Sequence, residues 1–526
     1  MTLFDLGLLL SVALFIVCWA LAALRNYHIF QLNSYKPLSQ LRWLRRNLAG
    51  EYLLRYAYFA AVPVISLFTE DPALAAYVFT ALCALHAIAN RPRKAKKPLV
   101  FTNRLKRMFA TDAALTAAAL AGAFHFGSPY PALSLWLMAA PLVTLLTNAI
   151  NAPVEKRIND RYIEDARRII KNMPRLTVIG VTGSYGKTST KYFLHRVLSS
   201  KFNVLMTPES YNTTMGVVKT IRNDLRPFHE VFVCEMGARN AGDIKEICDI
   251  VSPRLGVITS IGPQHLESFG TMQNIVRTKF ELADALPDDG ALFANGDNAH
   301  IRGEIARRGG CRAVSYGMSE CDYIAKDISV SSAGSAFTVA FPDRPGKSAR
   351  LAKEFSTKLL GRHNVTNILA ALAVADYLGV DADAAAVSVR RLEAVPHRLQ
   401  LISRGGMIII DDAYNSNESG SSAALEVLGG FDGFKILVTP GMVELGEEQD
   451  RLNRKFGQMA ASVCDFVILV GERVTGSILA GLKSASYPDE KIFIARDVVS
   501  AFERAAAIRA NKQKVVLVEN DLPDNY

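Results

Sequence analysis

At 526 residues the chain is too long for one hydrophobic core, and at about 150 residues per domain it divides into three units. Its net charge of +10 would suit a nucleic-acid partner, but the excess of basic over acidic residues lies before Asp112, between apolar runs, where membrane topology explains it better. The seven cysteines are scattered, with no C-x-x-C pair and no metal-ligand spacing, and read as reduced, mostly buried thiols of a cytosolic body.

Residues 1–150 read as a transmembrane α-helical section. Leu3–Leu24 is an apolar run of the length needed to cross about 30 Å of hydrocarbon, and Leu53–Thr69, Ala73–Asn90, Phe109–Phe126 and Pro131–Asn148 follow it, giving about five spans. The start carries Asp5 and no basic residue, so the first run is read as retained rather than as a cleaved signal peptide. Arg25, Lys36, Arg42, Arg45 and Arg46 follow the first run, and a second basic stretch from Arg91 to Arg107 follows the third; both are expected in the cytoplasm. The short turns Glu70-Asp71-Pro72 and Gly127-Ser128-Pro129 lack Lys and Arg, so the N-terminus is expected outside and the remainder of the chain inside. Asp112 reads either as a functional acid in the membrane or as an acid with a local partner. The basic loops read as topology determinants or as contacts for anionic lipid.

Residues 151–175 read as an amphipathic connector, with Ile158, Tyr162, Ile163, Ala166, Ile169 and Ile170 near helical spacing. Next, Thr177–Thr182 has the composition of a buried strand. Gly183-Ser184-Tyr185-Gly186-Lys187-Thr188-Ser189-Thr190 then turns it into a helix, the arrangement of a phosphate loop. Glycines let backbone amides approach phosphate oxygens at a helix N-terminus, Lys187 supplies a point charge, and Thr188 offers a hydroxyl to Mg²⁺. The strict G-x-x-x-x-G-K-[ST] spacing would need glycine where Val181 stands.

Further motifs follow in order: Val231–Ala238, a buried strand ending in Glu235; Gly256–Glu267, a strand then a loop holding His265; and Lys279 in Ile275–Glu281. Then come Asn295-Gly296-Asp297, Gly361-Arg362-His363-Asn364-Val365-Thr366-Asn367, Arg398 after Pro396-His397, and Asp411-Asp412 followed by Tyr414-Asn415-Ser416-Asn417. From about Leu176 to about Val470 this series resembles the Mur ligase family, whose phosphate loop reads T-G-x-x-G-K-[ST], and within it the MurF type.

The resemblance implies two α/β domains, a central ATP-binding domain at 176–394 and a Rossmann-like C-terminal domain at 395–526. It also implies ATP and Mg²⁺. Gly183 to Ser189 would hold the phosphates, and Thr188, Glu235, His265 and a carbamylated Lys279 the metal. Asn295, Asp297, His363, Asn364, Asn367, Arg398 and Asp412 would surround the nucleotide, while Asn212, Tyr414, Asn415 and Asn417 would meet substrate. The implied activity adds a dipeptide such as D-Ala-D-Ala to a UDP-MurNAc-peptide through an acyl phosphate. Its partners would be that precursor, the amine donor, membrane lipid and cell-wall synthesis proteins at the membrane.

Departures from the pattern bear on the substrate. The membrane section stands where the type carries a UDP-binding domain. Glu209-Ser210 replaces a Gly-Asn pair, Gly441-Met442 lacks an aspartate between its residues, and Glu519-Asn520-Asp521 replaces a Lys-Gly-Ser run. Two alternatives follow: a ligase or amidating enzyme acting on a lipid-linked intermediate, and a nucleotide-sensing membrane scaffold.

Overall fold

The computed structural model describes residues 3–521 except 70, 92–96, 128, 210, 265, 309–311, 343–351, 415, 444 and 473–474. The chain forms two compact units, one within Met1–Arg161 and one within Tyr162–Leu522.

The first unit is helical, but the expectation of five spans is corrected. Among the described residues only Leu6–Leu32 and Pro72–Ala89 are long and apolar enough to cross a membrane, and a third crossing exists if Pro129–Met138 and Ala140–Lys171 are one bent span. The run Leu53–Thr69 starts at the end of a π turn, Leu48–Leu53, and is divided into an α turn at Leu54–Tyr56, a 3₁₀ turn at Ala57–Ala60 and an α-helix of 8 residues, Ala61–Phe68. That last piece rises about 12 Å, against about 30 Å of hydrocarbon. Phe109–Phe126 falls in the Asn103–His125 helix, where Thr111, Asp112, Thr116 and His125 dilute the apolar sequence. Pro131–Asn148 breaks at Ala139 with a bend of 73°, because Pro141 has no N–H to continue the preceding helix and starts a new one.

Phe15, Cys18, Phe59, Phe79, Cys83 and Leu133 pack the centre of this unit. Asp112 is buried and has local partners: it accepts from Trp19 Nε1 at 3.0 Å, Tyr27 Oη at 2.9 Å and Thr116 Oγ1 at 3.3 Å. Three donors on one carboxylate offset the cost of burying it.

In the second unit, the strands β1 (Thr177–Thr182), β2 (Val204–Met206), β3 (Val231–Glu235), β4 (Leu255–Ile258), β5 (Ala291–Asn295), β6 (Arg312–Gly317), β7 (Tyr323–Ser331), β8 (Gly334–Ala340) and β9 (Ala352–Thr357) form one sheet in the order β2-β3-β1-β4-β5-β6-β7-β8-β9. Pairing is parallel through β7 and antiparallel over the last two strands. The inner strands are continuous apolar runs because both faces are covered. The Lys187–Leu198 and Arg362–Tyr377 helices cover one face, and Thr214–Asn223, Asp243–Val251 and Met272–Asp284 the other. Ala166, on the last turns of the Ala140–Lys171 helix, joins that second core with Ile163, Ile169 and Ile170 packed around it.

A second sheet contains β10 (Gln400–Arg404), β11 (Met407–Asp412), β12 (Phe434–Thr439), β13 (Phe466–Val470), β14 (Ile492–Ala495) and β15 (Lys514–Glu519), ordered β10-β11-β15-β12-β13-β14. It is parallel except for β10. The residues at the carboxyl ends of its strands and of those in the first sheet supply most of the cleft described next, as open α/β sheets place their ligand sites.

Candidate active site

The site begins at the turn after β1. Gly183 (φ 150°) and Gly186 (φ 81°) hold backbone conformations that L side chains rarely adopt. A Cβ on Gly183 would collide with the Thr259 hydroxyl, and one on Gly186 would lie 2.5 Å from Asn367 Oδ1. The turn is stitched to the loop after β4: Ser184 N donates to Ser260 O at 2.6 Å, Ser184 Oγ to Gly262 O at 3.0 Å, and Tyr185 N to Ser260 Oγ at 3.2 Å. Gly186 opens the Lys187–Leu198 helix, so that helix presents its free first-turn amides to the cleft.

Lys187 Nζ curls over its own loop, donating to Gly183 O at 2.7 Å and Ser184 O at 3.0 Å. Desolvation pushes its ammonium down to about 8, the Glu235 charge opposing the shift and Arg398 adding to it. Glu235, at the end of β3 and 1% exposed, is a junction of three elements. Its Oε1 accepts from Thr188 Oγ1 at 3.2 Å and Asn212 Nδ2 at 3.0 Å, while Lys191 Nζ lies 3.0 Å from Oε2. The lysine contact is an ion pair without hydrogen-bond geometry, and Oε2 is buried with no hydrogen bond.

Lys279 is 3% exposed on the Met272–Asp284 helix, and desolvation together with Lys187 holds its amine well below the usual lysine range. A neutral amine is the form that adds CO₂, so the environment suits the carbamate expected there. His265 lies outside the described residues, as does Asn415.

Across the cleft stand residues of the second sheet and its linker. Arg398 lies between His397 (φ 60°) and Leu399 (φ 49°), both left-handed. Neighbouring carboxylates anchor the pair: His397 Nδ1 is 2.8 Å from Asp411 Oδ2, and Leu399 N donates to Asp412 Oδ1 at 3.2 Å. The Arg398 guanidinium sits 4.3 Å from the centroid of the Tyr414 ring. Desolvation raises the Asp412 carboxyl to about 6 although Arg398 pulls it down. Asn417 caps the Glu418–Gly429 helix by accepting from Gly420 N at 2.8 Å.

The cleft encloses about 630 Å³ and is lined by Tyr185, Gly186, Ser189, Asn295, His363, Asn364, Asn367, Arg398, Asp412 and Asn417 among the expected residues. That volume suits a nucleotide. Three helix N-termini open on it, those of Lys187–Leu198, Arg362–Tyr377 and Glu418–Gly429, an arrangement that favours anions. Tyr185 Oη and His363 Nδ1 are buried without hydrogen bonds, and desolvation pushes the His363 imidazole down to about 4, leaving it a neutral ring able to bond a ligand.

Among the described residues no group of three His, Cys, Asp or Glu side chains forms a closed metal cage. Glu235 beside the Thr188 hydroxyl is instead the open kind of site that Mg²⁺ shares with phosphates and water. The residues present fit ATP with a divalent cation.

Asp297 stands apart. It accepts from Met318 N at 2.8 Å and Ser319 Oγ at 2.6 Å, anchoring the turn between β6 and β7, and it does not line the cleft. Asn295 touches the cleft while donating to Thr259 O at 2.9 Å. The sequence reading missed Lys191, Asn298, His300 and the start of the Glu418–Gly429 helix. None of these carried a sequence signal: Lys191 stands three residues after Thr188 on the same helix face, where a lysine reads as solvated.

Comparison with known proteins agrees with this architecture. Residues 181–375 match the Mur ligase middle domain and residues 397–519 the Mur ligase, glutamate ligase domain. The UDP-N-acetylmuramoyl-tripeptide--D-alanyl-D-alanine ligase of Escherichia coli is 31% identical over 61% of this chain and 70% of its own length; that of Bacillus subtilis is 32% identical over 53% and 59%. The chain thus spans less than two thirds of the Bacillus relative. Among solved structures, MurF from Acinetobacter baumannii superposes with a TM-score of 0.62 at 25% identity, covering 69% of this chain and 77% of that one. MurF from Thermotoga maritima in complex with ADP gives 0.61 at 28%, covering 69% and 80%. The chain belongs to the Mur ligase family.

Proposed function

We propose that this protein is an ATP-dependent, ADP-forming amide ligase of MurF type, which adds a dipeptide such as D-Ala-D-Ala to a UDP-MurNAc-peptide. The observation that carries the reading is the cleft itself, lined by Tyr185, Gly186 and Ser189 of the glycine turn and its helix together with Arg398 and Asp412, with the Lys187 ammonium within electrostatic reach of Glu235 and Arg398. The acceptor carboxylate takes the γ-phosphoryl group, and the resulting acyl phosphate yields the amide when the amine displaces phosphate.

Lys187 and the first-turn amides of its helix neutralise the phosphates, which is most of what such a transfer asks of a protein. Thr188, Glu235, His265 and carbamylated Lys279 would hold Mg²⁺, which when bound offsets charge on the phosphate oxygens. Gly183, Ser184, Tyr185, Gly186 and Ser189 wrap the phosphates, while Asn295, His363, Asn364, Asn367, Arg398 and Asp412 orient the nucleotide. Asn212, Tyr414 and Asn417 are assigned to substrate.

The apolar helices Leu6–Leu32 and Pro72–Ala89 anchor the catalytic unit at the cytoplasmic face of a membrane. They also favour a second reading, in which the acceptor is a lipid-linked precursor rather than a UDP-linked one. Phosphate release by the full-length protein, with each acceptor offered separately beside D-Ala-D-Ala, tests both. Release with the UDP-linked acceptor supports the first, release with the lipid-linked acceptor alone supports the second, and release with neither defeats the ligase assignment.

A further inference from the structure

Lys191 belongs to no motif named above, yet its ammonium is fully buried, 0% exposed. It meets two partners: Glu235 Oε2 at 3.0 Å and the backbone carbonyl of Glu209, to which it donates at 2.5 Å. Glu209 lies in the loop from Thr207 to Thr213 and has φ 36°. The same loop reaches Glu235 twice more. Glu235 N donates to Thr207 Oγ1 at 3.1 Å, and Asn212 Nδ2 donates to Glu235 Oε1 at 3.0 Å.

One ammonium therefore ties this chain segment to the carboxylate read above as a metal ligand. The ion pair offsets the buried charge on Oε2, an oxygen with no hydrogen bond of its own. Asn212 and Thr188 fix the other oxygen.

From this geometry we propose that Lys191 is a positioning residue, a clasp that aims Glu235 at the divalent cation and fastens the Thr207–Thr213 loop to the same carboxylate. The proposal rests on Glu235 being the metal ligand. Partners that orient a metal-bound carboxylate change metal affinity by about 10- to 100-fold when removed. Holding the loop and the carboxylate with one group also makes acceptor binding depend on the metal site.

The test uses full-length protein in detergent, Mn²⁺ with ADP as the probe, electron paramagnetic resonance for metal affinity, and hydrogen exchange for residues 207–213. Lys191→Met is expected to weaken Mn²⁺ binding by about tenfold or more, to speed exchange in the loop, and to raise KM for the acceptor more than it lowers kcat. Lys191→Gln keeps a donor for the Glu209 carbonyl without the charge, and it carries the test where Met unfolds the chain. It should weaken Mn²⁺ similarly with near-normal loop exchange. Mn²⁺ affinity within about twofold of the native protein in folded Lys191→Gln, alongside a clear loss in Glu235→Gln, would overturn the clasp alone. Unchanged affinity in Glu235→Gln would overturn the metal reading and the clasp with it.

Discussion

The two walls of the cleft are held in opposite ways. On the wall built from the first sheet the buried cations are pushed down, Lys187 to about 8 and Lys279 well below its usual range, and fixed partners secure the phosphate end. Lys187 is bound by its own loop, and Glu235 by Thr188, Asn212 and Lys191. In the second sheet and its linker the carboxyls of Asp412, on the cleft, and Glu519, off it, are pushed up to about 6 and about 8, while desolvation pushes the Arg398 guanidinium down. There Arg398 hangs between two left-handed residues, each costing on the order of 1–3 kcal/mol unless its surroundings hold it. The phosphate wall is preorganised, whereas the facing wall is mounted on a strained linker of the kind that absorbs domain closure.

The sharpest break would come at the phosphate wall. Lys187→Ala or Glu235→Ala should each lower ligation by roughly 10³-fold or more, read as steady-state phosphate release, because each removes charge compensation for the transfer. Turnover near the native rate in either would erase the distinction between the walls.

A smaller effect is expected at Glu519, where burial raises the carboxyl above its unfolded value of 4.5 despite the hydroxyls of Ser416 and Thr439. A raised folded pKa stabilises below the unfolded value, and that contribution is lost as pH rises through about 8. Glu519→Gln should therefore gain stability over the native chain between pH 5 and pH 8, by about 3 kcal/mol, in thermal or denaturant unfolding. A gap that shrinks with pH would contradict the burial argument.

Arg398→Ala should cost about 2 kcal/mol in kcat/KM for ATP while leaving metal affinity intact, since the arginine stands on the other wall. Equal losses in both would mean that the walls act as one. Lys187 sharpens the contrast by about fivefold: nucleotide affinity of the free protein should decline by that much as pH rises from 8 to 9, as the half-protonated ammonium loses the rest of its proton. Affinity that stays flat over that range in a titration calorimeter would show Lys187 charged throughout. The smallest effect is expected from deleting residues 1–161, which lie in a separate compact unit. Turnover of a soluble acceptor should stay within about threefold.

The phosphate wall was legible in the sequence because its chemistry is local. Strand, glycine turn, lysine and helix follow one another from Thr177 to Leu198, and backbone geometry dictates the residue types. Lys191 was not legible, because a lysine one turn into a helix reads as solvated until β3 brings Glu235 against it. Asp297 follows the same rule in reverse: its motif pointed to the nucleotide, but the alignment of β5 with β6 hands its carboxylate to Met318 and Ser319. In the helical unit, hydropathy located the apolar runs and overcounted crossings. Such counting registers neither the break at Pro141 nor the mixed π and 3₁₀ turns before Ala61.

In the proposed reaction the cleft couples ATP to amide formation through the acceptor's carboxylate. Labelling that carboxylate with ¹⁸O and analysing the released phosphate by mass spectrometry tests it most directly. One ¹⁸O atom should pass into each phosphate as the amide forms, since the carboxylate oxygen leaves with the phosphoryl group. Amide product accompanied by unlabelled phosphate, or ATP consumed with no amide, would contradict it.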